Sequence, residues 1–203
     1  MDNLDSHIEL KLGIPKELRH QAAIICYEGF RSQIEGLIGS QQKGITLLEH
    51  SLNTELGLTA QLEGRLVGFV GLQYRNRPFF QFERSHCIRE LGFLRGLLVF
   101  LIFNNSLLST KILPKEMFIA VVVVDASMRG KGIGTLLMQS AIDIAQQNQC
   151  HAIVLDVVDT SLDARRLYER LGFKPVRTIK YKYLQRLIGS SANTTMRKDL
   201  ISS

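Results

Sequence analysis

Arg129-Gly130-Lys131-Gly132-Ile133-Gly134-Thr135 stands where a β-branched apolar run gives way to an amphipathic stretch. Residues 117–124 before it predict a buried central strand, and Leu136, Leu137, Ala141, Ile144 and Ala145 after it recur at helical spacing. A helix beginning at such a loop turns its unpaired N–H groups and the positive end of its dipole into the loop. Glycines keep those amides open, because a side chain would hold an incoming oxyanion away. Arg129 and Lys131 add positive charge without requiring a metal. The segment predicts an anion site suited to a phosphate, and no metal centre.

Spacing separates the phosphate-binding patterns. A P-loop needs Gly-Lys-Ser/Thr after four intervening residues, and Lys131 is followed by Gly132. A dinucleotide fingerprint needs G-x-G-x-x-G, whereas this loop reads G-x-G-x-G. Asp156, near the end of the next predicted strand, falls where a ribose-binding acid would, so that pattern stands as the runner-up. Against it, too little chain follows Asp156 for a doubly wound sheet, and the β-rich half precedes the loop.

The elements that must position this loop are legible at coarse grain. Residues 7–12 predict a strand, and Pro15 can open a helix whose face carries Leu18, Ala22, Ile25, Cys26 and Phe30. The polar-rich residues 41–51 are ambiguous. Residues 58–73 read as a hairpin turning at Glu63-Gly64. Residues 75–116 interrupt the strand series and read as a helical insertion around 76–116, with Leu97-Leu98-Val99-Phe100-Leu101-Ile102-Phe103 as a buried helix. That run is too short to span a bilayer, which needs about 20 residues. A second buried strand is expected over 151–158, giving strand, loop, helix and strand with a right-handed crossover. Ser161 can cap a helix bearing Ala164, Leu167, Tyr168 and Leu171, which Gly172 ends. Strands are expected at 174–183 and 195–200.

At 203 residues and 45% hydrophobic composition, one domain over 1–203 with a real core is expected. Lys and Arg outnumber Asp and Glu by 25 to 19, a net +6 that favours an anionic partner: a phosphorylated cofactor, nucleic acid or a membrane surface. The basic residues are dispersed and no nucleic-acid-binding signature is present, so no nucleic acid is expected. Cys26, Cys87 and Cys150 lack any C-x-x-C spacing, which argues against a disulfide framework or zinc cluster and suits a reducing compartment. The acidic first residues are not followed by an apolar run, so no leader is expected and the cytoplasm is the expected location.

Residues 122–134, Val-Val-Val-Asp-Ala-Ser-Met-Arg-Gly-Lys-Gly-Ile-Gly, resemble the Arg/Gln-x-x-Gly-x-Gly/Ala signature of the GNAT superfamily of N-acetyltransferases. Residues 164–173, Ala-Arg-Arg-Leu-Tyr-Glu-Arg-Leu-Gly-Phe, resemble that family's A-x-x-L-Y-E-x-x-G-F segment, in the right order and at the right distance. The clear resemblance covers residues 118–176. It implies an α/β acyl-CoA N-acyltransferase fold, with a central, mostly antiparallel, splayed sheet flanked by helices. It also implies acetyl-CoA as co-substrate, no metal, and direct transfer to the amine of a small molecule, peptide or protein.

Residue by residue, the resemblance implies that main-chain groups of Val122 and Val124 pair with the pantetheine arm and polarise the thioester. Arg129, Gly130, Lys131, Gly132, Ile133, Gly134 and Thr135 would hold the pyrophosphate. Tyr168 matches the tyrosine that protonates the departing thiolate: a phenol of pKa about 10 beside a thiol of about 8.5. Two positions depart from the pattern. The strand that often carries a Glu reads Phe118-Ile119-Ala120-Val121-Val122, leaving the general base unassigned among Glu28, Glu83, Glu116, His86 and a water chain. Ser161 stands where an Asn commonly contacts the cofactor arm, so its hydroxyl either substitutes or only caps the helix. These departures leave open a second reading, a non-catalytic acyl-CoA-binding sensor or scaffold. The apolar insertion is expected either to shape a pocket for an apolar acceptor or to form a homodimer surface.

Overall fold

The computed structural model describes residues 8–104, 112–180 and 189–200, apart from the Gln33 side chain. Among the described residues, seven strands form one sheet in the order β1 (Ile8–Leu12), β2 (Gly57–Leu62), β3 (Arg65–Gln73), β4 (Glu116–Val124), β5 (Ala152–Val158), β7 (Ala192–Asp199) and β6 (Lys174–Lys180). Only β4 and β5 run parallel; all other neighbours are antiparallel. This is the expected mixed sheet. It also removes the runner-up, because a doubly wound dinucleotide fold requires a mostly parallel sheet.

One extra residue shapes the centre of the sheet. Gly71 of β3 faces Val121 of β4 and Leu72 faces Ile119, so Ala120 has no partner and bulges out of the strand. A bulge bends its strand and shifts the in-and-out alternation of side chains. Met117 and Ile119 accordingly pack on one face of the sheet, Val121 and Val123 on the other, and Val122 and Val124 on the first face again. The β4–β5 register runs from Glu116 opposite Ala152 to Ile119 opposite Leu155 and stops there. The two strands therefore part at the bulge, which is the splay the resemblance implied.

Each face carries its own apolar layer. On the first, α6 (Ile133–Gln147) sets Leu137, Met138, Ala141 and Ala145 against the sheet, and α7 (Leu162–Arg170) joins the same cluster through Tyr168. On the second lie α1 (Arg19–Gly29), α2 (Arg31–Ile38), α3 (Gln41–Ser51), α4 (Arg84–Leu91) and α5 (Phe93–Asn104). Burying a side chain of leucine size contributes about 1.5–3 kcal/mol, so both layers hold the sheet from which the site is cut.

Several expectations change in detail. Pro15 opens a short 3-10 turn, Lys16–Leu18, and α1 begins only after it. The ambiguous residues 41–51 are helical, and α2 was not foreseen. The Glu63-Gly64 turn has φ of 51° and 77°, the left-handed pair that suits a twisted hairpin. The insertion carries the helices α4 and α5 as expected, its residues 105–111 lying outside the described residues, but α5 is not a buried helix: Gly96 and Val99 are its buried residues, while Leu94 is 82% exposed. The last strand starts at Ala192, three residues before the expected 195. Residues 7 and 181–183 of the expected strands lie outside the described residues.

Candidate active site

The glycine loop follows β4 through the 3-10 turn Ala126–Met128 and ends at Gly132, the N-cap of α6. Gly130 and Gly132 have φ of 76° and 84°, which an L side chain occupies only under strain, and no atom lies within 4 Å of where a Cβ would stand. The amides of Thr135 and Leu136 close onto the Gly132 carbonyl. Those of Gly130, Lys131, Gly132, Ile133 and Gly134 find no acceptor among the described residues. Five successive free donors at the start of a 15-residue helix, beside an open hollow that side chains would fill, fit a diphosphate.

Charge and local bonds fix this loop. Arg129 and Lys131 are exposed; the Arg129 Nε donates to the Val124 carbonyl at 3.3 Å and the Lys131 amine lies 3.5 Å from the Met128 sulfur. Asp125 accepts from the Ser127 amide at 2.9 Å and hydroxyl at 2.6 Å, and from Arg65 at 2.8 Å. The Ser127 hydroxyl is the main cause that holds the Asp125 carboxyl below the usual range, with Arg65 adding to it. The sequence signalled this latch through the Asp-x-Ser spacing, which favours an Asx turn, but Arg65 sits sixty positions away and left no trace.

Beside the loop the parted strands leave a cleft. Val122 and Val124 pair with Val70 and Gly68 of β3, while their β5 side has no strand partner among the described residues. Gly134 stands near the cleft wall, where an added Cβ would meet Leu167 of α7 at 3.5 Å and Val124 at 3.9 Å. The start of α6, the end of β4 and α7 therefore converge. Tyr168, the next residue on α7, is 7% exposed with its ring 6.0 Å from that of Phe173. Its hydroxyl has no partner among the described residues, and burial pushes its pKa up to about 12. Ser161 occupies the N-cap of α7 as expected, yet its hydroxyl makes no capping bond; only its backbone carbonyl serves, accepting from the Arg165 amide.

The opposite face of the cleft holds what the sequence did not reveal. Ile153, Leu155 and Val157 of β5 point toward α6, so Asp156 between them points toward the α1 face. Asp156 is the first β5 residue beyond the last β4–β5 pair, and it accepts from the Thr195 hydroxyl at 2.7 Å. Asn193 shares that face by the β5–β7 register, and its side-chain carbonyl is buried without a donor among the described residues. The α1 helix closes the approach from above: a Cβ on Gly29 would stand 2.7 Å from Val123. No periodicity announces Asp156 or Asn193; the end of β4–β5 pairing singles out the first, and the unmet side-chain carbonyl the second.

Each of the carboxylates weighed from sequence has a basic neighbour. Glu116 begins β4 at its closed end, where it accepts from Arg197 and, at 2.8 Å, from the Leu113 amide. Glu83 is exposed and lies 3.7 Å from His86, far along the chain in the insertion. Glu28 is on α1 beside Gly29 but is engaged by Arg31. All three cysteines are buried, and burial pushes the Cys26 thiol up to about 12. No three His, Cys, Asp or Glu residues are grouped for a metal among the described residues.

A family model described as Acetyltransferase (GNAT) family matches residues 26–173. N-alpha-acetyltransferase 30 of Xenopus laevis is 43% identical over 56 residues, 28% of this chain and 20% of that protein. The Dictyostelium discoideum protein of the same name is 29% identical over 89 residues, 44% of this chain and 47% of its own length. The chain thus spans half or less of these relatives. In three dimensions it is similar to an N-acetyltransferase from Staphylococcus aureus Mu50, with TM-score 0.65, 15% identity, and 94% of this chain and 100% of the other covered; at that identity the likeness is one of fold. The family match runs from α1 through the glycine loop and the parted strands to Phe173, and the chain belongs to the acetyltransferase (GNAT) family.

Proposed function

We propose that this chain transfers the acetyl group of acetyl-CoA to the α-amine of a peptide or protein N-terminus by direct attack. The observation that carries it is the row of free amides from Gly130 to Gly134 opening onto the cleft where β4 and β5 part. Those amides, with Arg129, Lys131 and Thr135, hold the pyrophosphate, while the edge of Val122 and Val124 that β5 leaves unpaired lies along the arm. Acetyl-CoA supplies an acetyl group already activated as a thioester. Similarity to proteins named N-alpha-acetyltransferase supports an α-amine as acceptor.

Acid and base are drawn from opposite faces of the sheet. Asp156 takes a proton from the attacking nitrogen on the α1 face, and the orphan Asn193 carbonyl accepts the remaining N–H. As the carbon–sulfur bond breaks, Tyr168 donates its proton to sulfur from the α7 side, and solvent returns a proton from Asp156 to Tyr168. A phenol near 12 is a weak acid, yet burial raises a thiol as well, as the buried Cys26 illustrates. Desolvation disfavours the departing thiolate too, which favours proton transfer to sulfur as the bond breaks. Ser161, whose hydroxyl is not used for capping, is available to the arm.

An acceptor panel tests this. Thiol release from acetyl-CoA should appear with peptides bearing a free N-terminus and disappear when the same peptides are N-terminally blocked with their lysines intact. Turnover with small amines alone would overturn the acceptor class. Tight acetyl-CoA binding with no acceptor turned over would favour the sensor or scaffold reading.

A further inference from the structure

The outward face of α5 has inverted polarity. Leu94, Leu98 and Leu101, at helical spacing, are 82%, 47% and 53% exposed, with Phe93 at 66% at the start of the helix. Surface helices turn polar residues outward, and a contiguous apolar stripe marks a docking surface. The stripe is rigidly mounted. A Cβ on Gly96 would stand 2.4 Å from the Cys87 carbonyl oxygen, so α5 crosses α4 in near backbone contact. Arg95 donates to the Ile38 carbonyl at 3.3 Å, Asn104 to that of Phe82 at 3.2 Å, and the Phe82 and Phe103 rings stack at 4.4 Å.

We propose that this face docks the protein on an anionic lipid surface, with α5 lying in the interface plane. Two observations favour lipid over a second copy of the chain. The 12-residue α5 is only ~18 Å long, so a strip about 10 Å wide gives a footprint on the order of 200 Å², well short of the ~800 Å² per partner of a stable interface. Charge points the same way. Within α4 and α5, Arg84, Arg89 and Arg95 stand against the single carboxylate of Glu90, and Arg84 and Arg89 have no ion-pair partner among the described residues. Two copies at +6 repel each other, whereas anionic headgroups attract each such arginine. No helix among the described residues is long and apolar enough to cross a membrane, so α5 lies on the surface rather than spanning it.

Cosedimentation of the full chain with phosphatidylcholine vesicles, with and without phosphatidylserine, tests the proposal. Binding should require phosphatidylserine and fall with added salt. Replacing Leu94, Leu98 and Leu101 by Ser should weaken it about tenfold per residue, and Arg84→Gln with Arg89→Gln about tenfold together. The chain holds no tryptophan, so Leu94→Trp gives a single reporter in a folded, still apolar stripe; its emission should shift to the blue on vesicle addition. Unshifted emission, binding retained after loss of the leucines, or a dimer in ultracentrifugation that the leucine variant dissolves without any vesicle binding would overturn it.

Discussion

The two ends of β4 are built from the same kind of apolar residue, yet one is closed and the other open. From Glu116 to Ile119 the strand is paired with β5, Phe118 and Ile119 also with β3, and the buried Glu116 is tied to Arg197 of β7. From Val121 to Val124 it keeps β3 but has left β5, and its open edge leads into a loop whose amides are free among the described residues. A single extra residue at Ala120 separates the two behaviours. Backbone hydrogen-bonding groups withheld from the sheet in this way are available to a ligand, provided both faces are packed firmly enough to hold the strands apart.

The contrast predicts that carboxylates at the two ends differ in role. Asp156→Asn, at the open end, should lower kcat by about 10² to 10⁴ while acetyl-CoA affinity stays within a factor of two or so. Glu116→Gln should leave kcat nearly unchanged and lower thermal stability instead. The reverse pattern would break the comparison.

A smaller effect is expected at Tyr168. Tyr168→Phe removes no hydrogen bond within the described residues, so the fold should be unaffected while kcat falls on the order of 10²-fold. Because the phenol keeps its proton until pH approaches 12, the rate of the unaltered protein should show no alkaline decline attributable to Tyr168 through pH 10. A decline near pH 10 that vanishes in Tyr168→Phe would contradict the buried acid.

The smallest effect belongs to the latch. The Asp125 carboxyl is held below its ordinary value, so its stabilisation is present above about pH 4, the unfolded value, and is lost as pH falls through the depressed one. Asp125→Ala should cost up to about 1 kcal/mol at neutral pH, and the difference should vanish at strongly acid pH in denaturant titrations. A constant difference across pH would show that the carboxylate charge is irrelevant to the loop.

Much of this was written locally in the chain. The strand before the loop, the glycines, the helix after it and the Leu167-Tyr168 step follow from periodicity and spacing, and the structure keeps them in that order. The bulge was not legible, because Ala120 in an apolar run carries no mark of being an extra residue; it exists only relative to the register with β3. Asp156 was legible as a residue but had a part only in the runner-up dinucleotide pattern, since a strand-ending acid after a glycine loop suits two folds and strand order separates them. The outward leucines of α5 read as core for a related reason: hydrophobicity argues for burial, and only tertiary packing shows which face has nothing to bury against.

Calorimetric titration with coenzyme A, comparing the unaltered chain with Gly132→Val, tests the amide cradle most directly. The valine strains a backbone at φ 84° and fills the hollow, so affinity should fall at least about 100-fold while the melting temperature drops only slightly. Pantetheine, which lacks the diphosphate, should distinguish the two proteins far less. Equal coenzyme A affinity in both proteins would contradict the account.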